Sequence, residues 1–242
     1  MTRRCISSRS RAEYQRLALA LFLAAATGLL LGPGCVPYPA GTTAHPVDEE
    51  DSPTVSTSVY AVPNGLDLLR DSTAFTEGSK AAFVGVDTDL RFRINEETEL
   101  GVRIPTFSGF IINYKRRVVG TDSSAFALAV MPETGFVNLG QHWHFGATVI
   151  ASGAEGPLVT PYGGVRGMQV VPLSESAVSD SPTIGGFLGL RIGSTRLGIT
   201  PEVGLYYDEP ALDISADRNV LFVPSLTLHG RGLLSGPLFP GF

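Results

Sequence analysis

The sequence predicts an all-β fold, an antiparallel up-and-down transmembrane β-barrel of about 10 strands, with 8 strands as the alternative. Three observations predict it: strict alternation of apolar and polar residues, unusually long strands, and long connections that all lie at one end of the predicted barrel. The clearest alternation lies in residues 80–94, where Val84 and Leu90 share one face and Asp87 and Asp89 share the other. A period of two residues indicates a strand with one apolar and one polar face. The length of this run suits a strand tilted across a bilayer.

The N-terminal region predicts an export signal that is not part of the fold. Five arginines between positions 3 and 16 form a basic start, and an apolar stretch follows from Leu17 to Leu31. That stretch is short for a membrane span and has the layout of a signal peptide. The predicted organisation is a signal peptide at 1–34, a tether rich in proline and acidic residues at 35–55, and a β-barrel domain at 56–242.

The apolar stretch ends in the sequence Leu-Leu-Gly-Pro-Gly-Cys, which closes at Cys35. This ending resembles a bacterial lipoprotein signal, in which small residues precede the cysteine that becomes the lipidated first residue. Cys5 would leave with the signal, and a single cysteine in an exported chain needs a use. The resemblance implies acylation of Cys35 and, because Val36 follows it, retention at the outer membrane. The alternative is an ordinary secretory signal cut nearby.

Residues 36–55 combine prolines with an acidic run and show no periodicity, so the sequence predicts that they do not pack. Removal of residues 1–34 takes away five arginines and Glu13, so the formal net charge falls from −5 to about −9. Such a charge argues against nucleic acid as a partner, because nucleic-acid-binding proteins carry basic surfaces.

Alternation and turn residues divide the rest of the chain into ten predicted strands. The predicted strands are 56–62, 80–94, 99–104, 110–119, 124–138, 142–151, 158–172, 183–192, 196–207 and 219–230.

The connections between these strands differ in length at the two ends of the predicted barrel. Outer-membrane barrels have short periplasmic turns and longer extracellular loops. The pattern places the start of the barrel, and with it a lipid-anchored N-terminus, on the periplasmic side. Loops 173–182 and 208–218 would then lie at the cell surface, where they are predicted to contact a surface partner. The short connections are 95–98, 120–123, 152–157 and 193–195, and the long ones are 63–79, 173–182 and 208–218.

The charged residues within the strands predict which face points inward. An arginine on the lipid face at mid-bilayer costs roughly 2–4 kcal/mol, so several of them must face the lumen. There they form either a narrow ion path or a plug of salt bridges, and the small bore favours the plug. The predicted lumen cluster is Asp87, Asp89, Arg91, Arg93, Arg103, Arg191 and Glu202.

Aromatic and glycine residues add to this prediction. Aromatic side chains near strand ends, among them Trp143, Tyr206 and Tyr207, predict girdles at the membrane interfaces. Glycines recur on the polar faces, as at Gly85 and Gly189, and small residues there make room for side chains that fill a narrow lumen.

The sequence predicts no enzyme, no cofactor and no metal site. His142 and His144 lie two residues apart and so share a strand face, but two ligands are too few for a metal ion. The Gly-x-Ser-x-Gly motif of hydrolases is absent, as is a phosphate-binding glycine loop with lysine. The histidines are therefore interpreted as polar residues of the lumen or rim.

As a pattern, residues 56–242 resemble the small bacterial outer-membrane β-barrel proteins. The resemblance implies the lipid bilayer and the outer-membrane assembly machinery as partners. In such proteins an aromatic residue that ends the last strand is recognised during assembly, and Phe242 matches only the aromatic part of that signal. The predicted function is a non-catalytic outer-membrane β-barrel lipoprotein with a structural or surface-interaction role at the cell envelope. The alternatives are a narrow channel for small solutes or ions, and a lipid-tethered periplasmic soluble β-domain that binds a ligand.

Overall fold

In the computed structural model, ten antiparallel strands form a closed barrel in which each strand pairs with its sequence neighbours and the first pairs with the last. The all-β, up-and-down barrel of ten strands is confirmed. The structure describes residues 37–62, 83–106, 108–156, 158–173, 182–193, 197–207 and 220–230. The strands are β1 (Thr54–Val62), β2 (Phe83–Asn95), β3 (Thr98–Pro105), β4 (Phe110–Val119), β5 (Phe126–Val137), β6 (His142–Gly153), β7 (Val159–Pro172), β8 (Thr183–Gly193), β9 (Gly198–Tyr207) and β10 (Val220–His229).

The predicted strand boundaries lie close to the observed ones because the alternation ends where the ladders end. Strand β4 has the predicted bounds, whereas β1 begins two residues earlier, at Thr54. Two short 3-10 helices, Glu49–Asp51 and Asn138–Gly140, complete the regular structure in the described ranges. No helix in that part of the chain has the length and hydropathy of a membrane span.

The two ends of the barrel differ in their connections, and we name them accordingly. The short-turn end carries the connections 96–97, 120–125, 154–158 and 194–197, together with the start of β1. The long-loop end carries the connections that follow β1, β3, β5, β7 and β9. The loops 173–182 and 208–218, predicted to meet a surface partner, lie almost entirely outside the described residues.

The outer face of the barrel is apolar on every strand. Along β4, exposed and buried residues alternate almost without a break, as the sequence pattern predicts. Among the outward positions of the described strand residues, Arg116 is the one charged side chain, and it lies at the short-turn end, 3.8 Å from Glu97. Exposed apolar residues, one from each strand, are Val59, Val84, Ile104, Ile112, Val130, Val149, Val165, Leu188, Val203 and Leu226.

Aromatic side chains cluster on the outer face at the long-loop end. Phe110, Phe136 and Trp143 occupy one row across β4, β5 and β6, and the rings of Phe136 and Trp143 lie 4.5 Å apart. Tyr207 belongs to the same end and is exposed. The expectation that Tyr206 is a girdle residue is wrong, because it has the inward parity of β9 and is only 1% exposed.

Glycines on the inner face make room for large side chains on neighbouring strands. A Cβ atom at Gly85 would overlap the ring of Tyr60, and one at Gly189 would overlap the ring of Tyr162. Both tyrosines are buried in the lumen. The predicted role of these glycines in a crowded lumen therefore follows from particular tyrosine–glycine pairs.

Replacing Gly85 by Ala is expected to lower the free energy of unfolding by about 1–3 kcal/mol, the usual cost of overpacking. The ring of Tyr60 cannot retreat freely, because it packs edge-on against Tyr38 at 6.3 Å. The matched control is Gly167→Ala on β7, where an added Cβ meets no atom within 4 Å. Urea titration of both variants in detergent micelles checks the difference, and equal midpoints would contradict the packing argument.

The chain before β1 differs from the predicted tether. Residues 37–47 lie inside the barrel, and most of them are buried: Tyr38 is 2% exposed and Ala44 is 0% exposed. We call residues 37–47 the lumen segment. Its prolines and small residues do not pack against one another; polar groups of the barrel wall hold them, as described below.

Candidate functional site: the charged lumen

Five charged side chains form a continuous chain of ion pairs across β2, β3 and β4. Asp89 bridges Arg103 and Arg91 at 2.9 and 2.8 Å. Glu99 continues the chain by bridging Arg91 at 2.6 Å and Lys115 at 2.9 Å. All five residues are buried, with Glu99 and Lys115 at 0% exposure. Because all five are buried, each charged side chain depends on its ion-pair partners.

A second polar group lies across β5, β6, β7 and β9. Glu133 accepts a hydrogen bond from Arg166 and lies 3.1 Å from the His144 imidazole. On the same side of the lumen, the Tyr162 hydroxyl donates to Glu202 at 2.6 Å. All of these residues are buried. The inner face of the wall therefore carries both signs of charge.

The structure places the predicted lumen cluster on the inner face of the wall. Three of its members belong to the ion-pair chain, and Glu202 belongs to the second group. Asp87 lies 3.5 Å from the Tyr60 hydroxyl, which donates to it. Arg191 pairs with Glu155 at 2.9 Å near the short-turn end. Arg93 donates a hydrogen bond to the lumen segment, so the seven residues do not form one compact cluster.

Several important wall residues were absent from the predicted cluster, notably Lys115, Glu133, His144 and Arg166. Each of them has the inward parity of its strand, and each is at most 4% exposed. The alternation along β4, β5, β6 and β7 was the signal that could have identified them, because a charge on an inward position has only the lumen to face.

A further charge pair lies at the short-turn end. Arg117 donates to Asp122 in the turn 120–125 and to the Glu96 carbonyl at 2.9 Å. Partial burial raises the pKa of Asp122, but the hydrogen bond and positive charge of Arg117 outweigh it and hold that pKa below its ordinary value.

The lumen segment runs along the length of the lumen. At one extreme, the Tyr206 hydroxyl donates to the Tyr38 carbonyl at 2.8 Å, near the long-loop end. At the other, the Val47 amide donates to Glu99 at 3.0 Å, close to the turn that joins β2 to β3. The His45 imidazole lies 3.0 Å from the Gly153 carbonyl, where β6 ends. The segment therefore descends from the long-loop half to the short-turn end, and then turns into β1.

The wall holds the lumen segment mainly by its main chain. Arginine and lysine side chains donate to carbonyl oxygens, while carboxylates and a serine accept from amides. Arg166 and Arg103 donate hydrogen bonds to the carbonyl oxygens of residues 38–40 at 2.9–3.3 Å. Lys115 donates to the carbonyl oxygens of Thr43 and His45, both at 2.9 Å. The amides of Ala40 and Gly41 donate to Glu202 at 2.9 and 3.1 Å. The amide of Ala44 donates to the Ser152 hydroxyl at 2.7 Å, and that of Val47 donates to Glu99.

The two histidines predicted to share a face have separate surroundings. His144 is part of the Glu133 group, whereas His142 lies at the rim, 3.1 Å from the Asn138 amide nitrogen. Within the described ranges, no three His, Cys, Asp or Glu side chains are grouped so that they could hold a metal ion.

A cavity of about 40 Å³ lies beside the lumen segment, towards the short-turn end. It has room for only a few water molecules. Its lining includes Gly41, His45, Arg91, Arg191, Thr200 and His229.

Comparison with known proteins gives likenesses of structure only. No family model matches the sequence, and no curated protein sequence matches it. Neisserial surface protein A (NspA) is 14% identical over 74% of this chain and 95% of its own, with a TM-score of 0.34. A bacterial polysaccharide outer membrane secretin is 11% identical over 75% of this chain and 66% of its own, with a TM-score of 0.35. The N-terminal β-barrel domain of Pseudomonas aeruginosa OprF is 7% identical over 74% and 98%, with a TM-score of 0.27.

Proposed function

We propose that this protein is a non-catalytic β-barrel of the bacterial outer membrane with a structural or surface-interaction role at the envelope. The observation that carries the proposal is the division of the wall into an apolar outer face and a charged inner face. Soluble monomers rarely expose contiguous apolar patches larger than a few hundred Å². Here exposed apolar residues surround the barrel on all ten strands, and lipid is the solvent that such a surface suits.

Heat-modifiability on a gel tests this proposal. Purified outer membranes are run in SDS with and without boiling, and the unboiled protein is expected to migrate faster because the closed barrel stays compact. A single unshifted band, together with release of the protein from the membrane fraction by the Cys35→Ser substitution, would instead indicate the lipid-tethered soluble β-domain.

The channel alternative has weaker support. The lumen segment and the ion-paired side chains lie in the lumen, and the cavity beside them is small. We expect planar-bilayer recordings of the purified protein to show no steady single-channel conductance. Steps of reproducible size that persist in independent preparations would favour the channel.

Lipidation of Cys35 is the second part of the proposal, supported by the resemblance of residues 1–35 to a lipoprotein signal. Labelled palmitate is expected to enter the wild-type protein and not the Cys35→Ser variant. Equal labelling of both forms, or of neither, would contradict it.

The side of the membrane that carries the lipid is linked to the lumen segment. Cys35 lies three positions before Tyr38, and three steps of extended chain span at most about 10 Å. Tyr38 is buried in the half of the lumen nearer the long-loop end, beside Tyr60 and Tyr206. A periplasmic lipid, as proposed from the loop lengths, therefore requires that the lumen segment leave the barrel in the lipidated protein.

Interaction with a surface partner through loops 173–182 and 208–218, and insertion by the outer-membrane assembly machinery, remain parts of the same proposal. Replacement of each loop by a short Gly-Ser connection is expected to leave heat-modifiability unchanged while abolishing partner capture on intact cells. Loss of the barrel itself on loop replacement would assign these loops a role in folding instead.

A further inference from the structure

The barrel wall contacts the lumen segment mainly through main-chain groups, which every peptide has. The wall contacts carbonyl oxygens of residues 38–40, 43, 45 and 47 and amides of residues 40, 41, 44 and 47. Some polar contacts also involve side chains of the segment: Lys115 donates to the Thr42 hydroxyl at 3.0 Å, and the His45 imidazole lies 3.0 Å from the Gly153 carbonyl. Recognition of the main chain by charged groups gives strong hydrogen bonds with little dependence on sequence.

The space around the segment limits which peptides fit. A Cβ atom at Gly41 would lie 3.0 Å from the Thr227 hydroxyl and 3.2 Å from the Ser58 hydroxyl, and its φ of +60° suits glycine. Ala40 and Ala44 are 1% and 0% exposed, so the wall and the rest of the segment enclose both positions. The site therefore fits a peptide of small residues and prolines.

One aromatic residue anchors the end of the segment that lies nearer the long-loop end of the barrel. The ring of Tyr38 lies 5.2 Å from the ring of Tyr206 and 6.3 Å from that of Tyr60, in an apolar cluster that also holds Val62 and Val223. An aromatic side chain in a fully desolvated pocket is the usual anchor of a peptide interface.

The wall groups need an occupant. Glu202 is 3% exposed, and its carboxylate is held by the amides of Ala40 and Gly41 as well as by the Tyr162 hydroxyl. Lys115 is 0% exposed and directs its ammonium group at the segment and at Glu99. If the segment left and no peptide replaced it, these buried charges would lose hydrogen bonds, and water would have to supply them instead.

We propose that the lumen is a binding site for a peptide that is rich in proline and small residues and carries one aromatic anchor, and that the barrel wall recognises this peptide mainly through its main chain. Residues 37–47 occupy this site within the same molecule. When they leave, the site accepts a peptide of the same chemistry from a separate molecule.

Cleavage next to the segment provides the test. Asp48, Glu49 and Glu50 are exposed, so a specific protease site inserted there allows the full-length protein to be cut after folding in detergent. A fluorescent synthetic peptide with the sequence of residues 36–48 is then added in excess, and fluorescence anisotropy follows its uptake. Heat-modifiability of the same sample shows whether the barrel stays folded. The expected result is saturable uptake by the cut protein and none by the uncut protein.

Two variant peptides separate main-chain from side-chain recognition. N-methylation at Ala40 removes the amide that donates to Glu202, and loss of a hydrogen bond to a charged group is expected to weaken binding about tenfold or more. A Thr42→Ala peptide keeps every main-chain contact and is expected to bind within about threefold of the parent. Equal binding of the N-methylated peptide would overturn the proposal, because it would mean adsorption to detergent or to the outer face.

A barrel variant with a matched control completes the test. Glu202→Gln is expected to weaken uptake about tenfold or more, whereas Glu97→Gln in an exposed turn leaves it unchanged. If Glu202→Gln fails to fold, the N-methylated peptide gives the same information on the unaltered barrel. A folded, cut barrel that never exchanges its own segment for the labelled peptide would overturn the proposal and identify residues 37–47 as a permanent plug.

Discussion

Replacing Glu99 by Gln is expected to lower the free energy of unfolding by about 3–5 kcal/mol, the usual cost of removing one partner from a buried ion pair. The Glu99 carboxylate lies between Arg91 and Lys115, at 2.6 and 2.9 Å, and also accepts from the Val47 amide at 3.0 Å. The neutral amide leaves two buried cations facing each other with reduced compensation, and it weakens the hold on the lumen segment.

Glu97→Gln is the matched control for this prediction. Glu97 lies two residues away in an exposed turn, and its pair with Arg116 at 3.8 Å has both side chains more than half exposed. Exposed pairs contribute about 0–1 kcal/mol, so this variant should be close to wild type. Urea unfolding of both variants in lipid vesicles measures the difference. Equal, small losses would mean that the ion-pair chain is hydrated and does not hold the barrel together.

The strands could be predicted from the sequence because the two faces of each strand have different surroundings, an apolar exterior and a polar lumen. A slip of one residue would move every charge of β2 to the outer face, so alternation fixes both the strand and its orientation. Asp87, Asp89 and Arg91 accordingly have the predicted inward parity, and the predicted bounds of β4 and β7 differ from the observed ones by one residue at most.

The lumen segment could not be predicted in this way. Its residues have no period, and their prolines and small side chains are typical of a tether. What holds them is the main chain, which every sequence has, and the partners lie far away along the chain. Glu202, for example, binds amides about 160 positions earlier. Only the surplus of inward charges was visible in the sequence, as a sign that the lumen must be filled.

The outer face gives a second prediction with a large effect. Leu188 lies at the middle of β8, points outward and is 75% exposed. In a barrel that spans a bilayer, this position faces the hydrocarbon core. Replacement of Leu188 by Arg is therefore expected to lower the free energy of unfolding in lipid vesicles by about 2–4 kcal/mol.

The same substitution distinguishes the membrane barrel from the lipid-tethered soluble domain. In a soluble domain Leu188 would face water, and surface substitutions of that kind usually change stability by less than about 0.5 kcal/mol. Leu139→Arg is the control, because Leu139 is 85% exposed in the connection between β5 and β6 at the long-loop end, outside the strands. A large loss at Leu188 with none at Leu139 requires an apolar solvent at mid-strand. No loss at either position would contradict the outer-membrane proposal, whatever the shape of the barrel, because an arginine at the bilayer centre cannot be tolerated without cost.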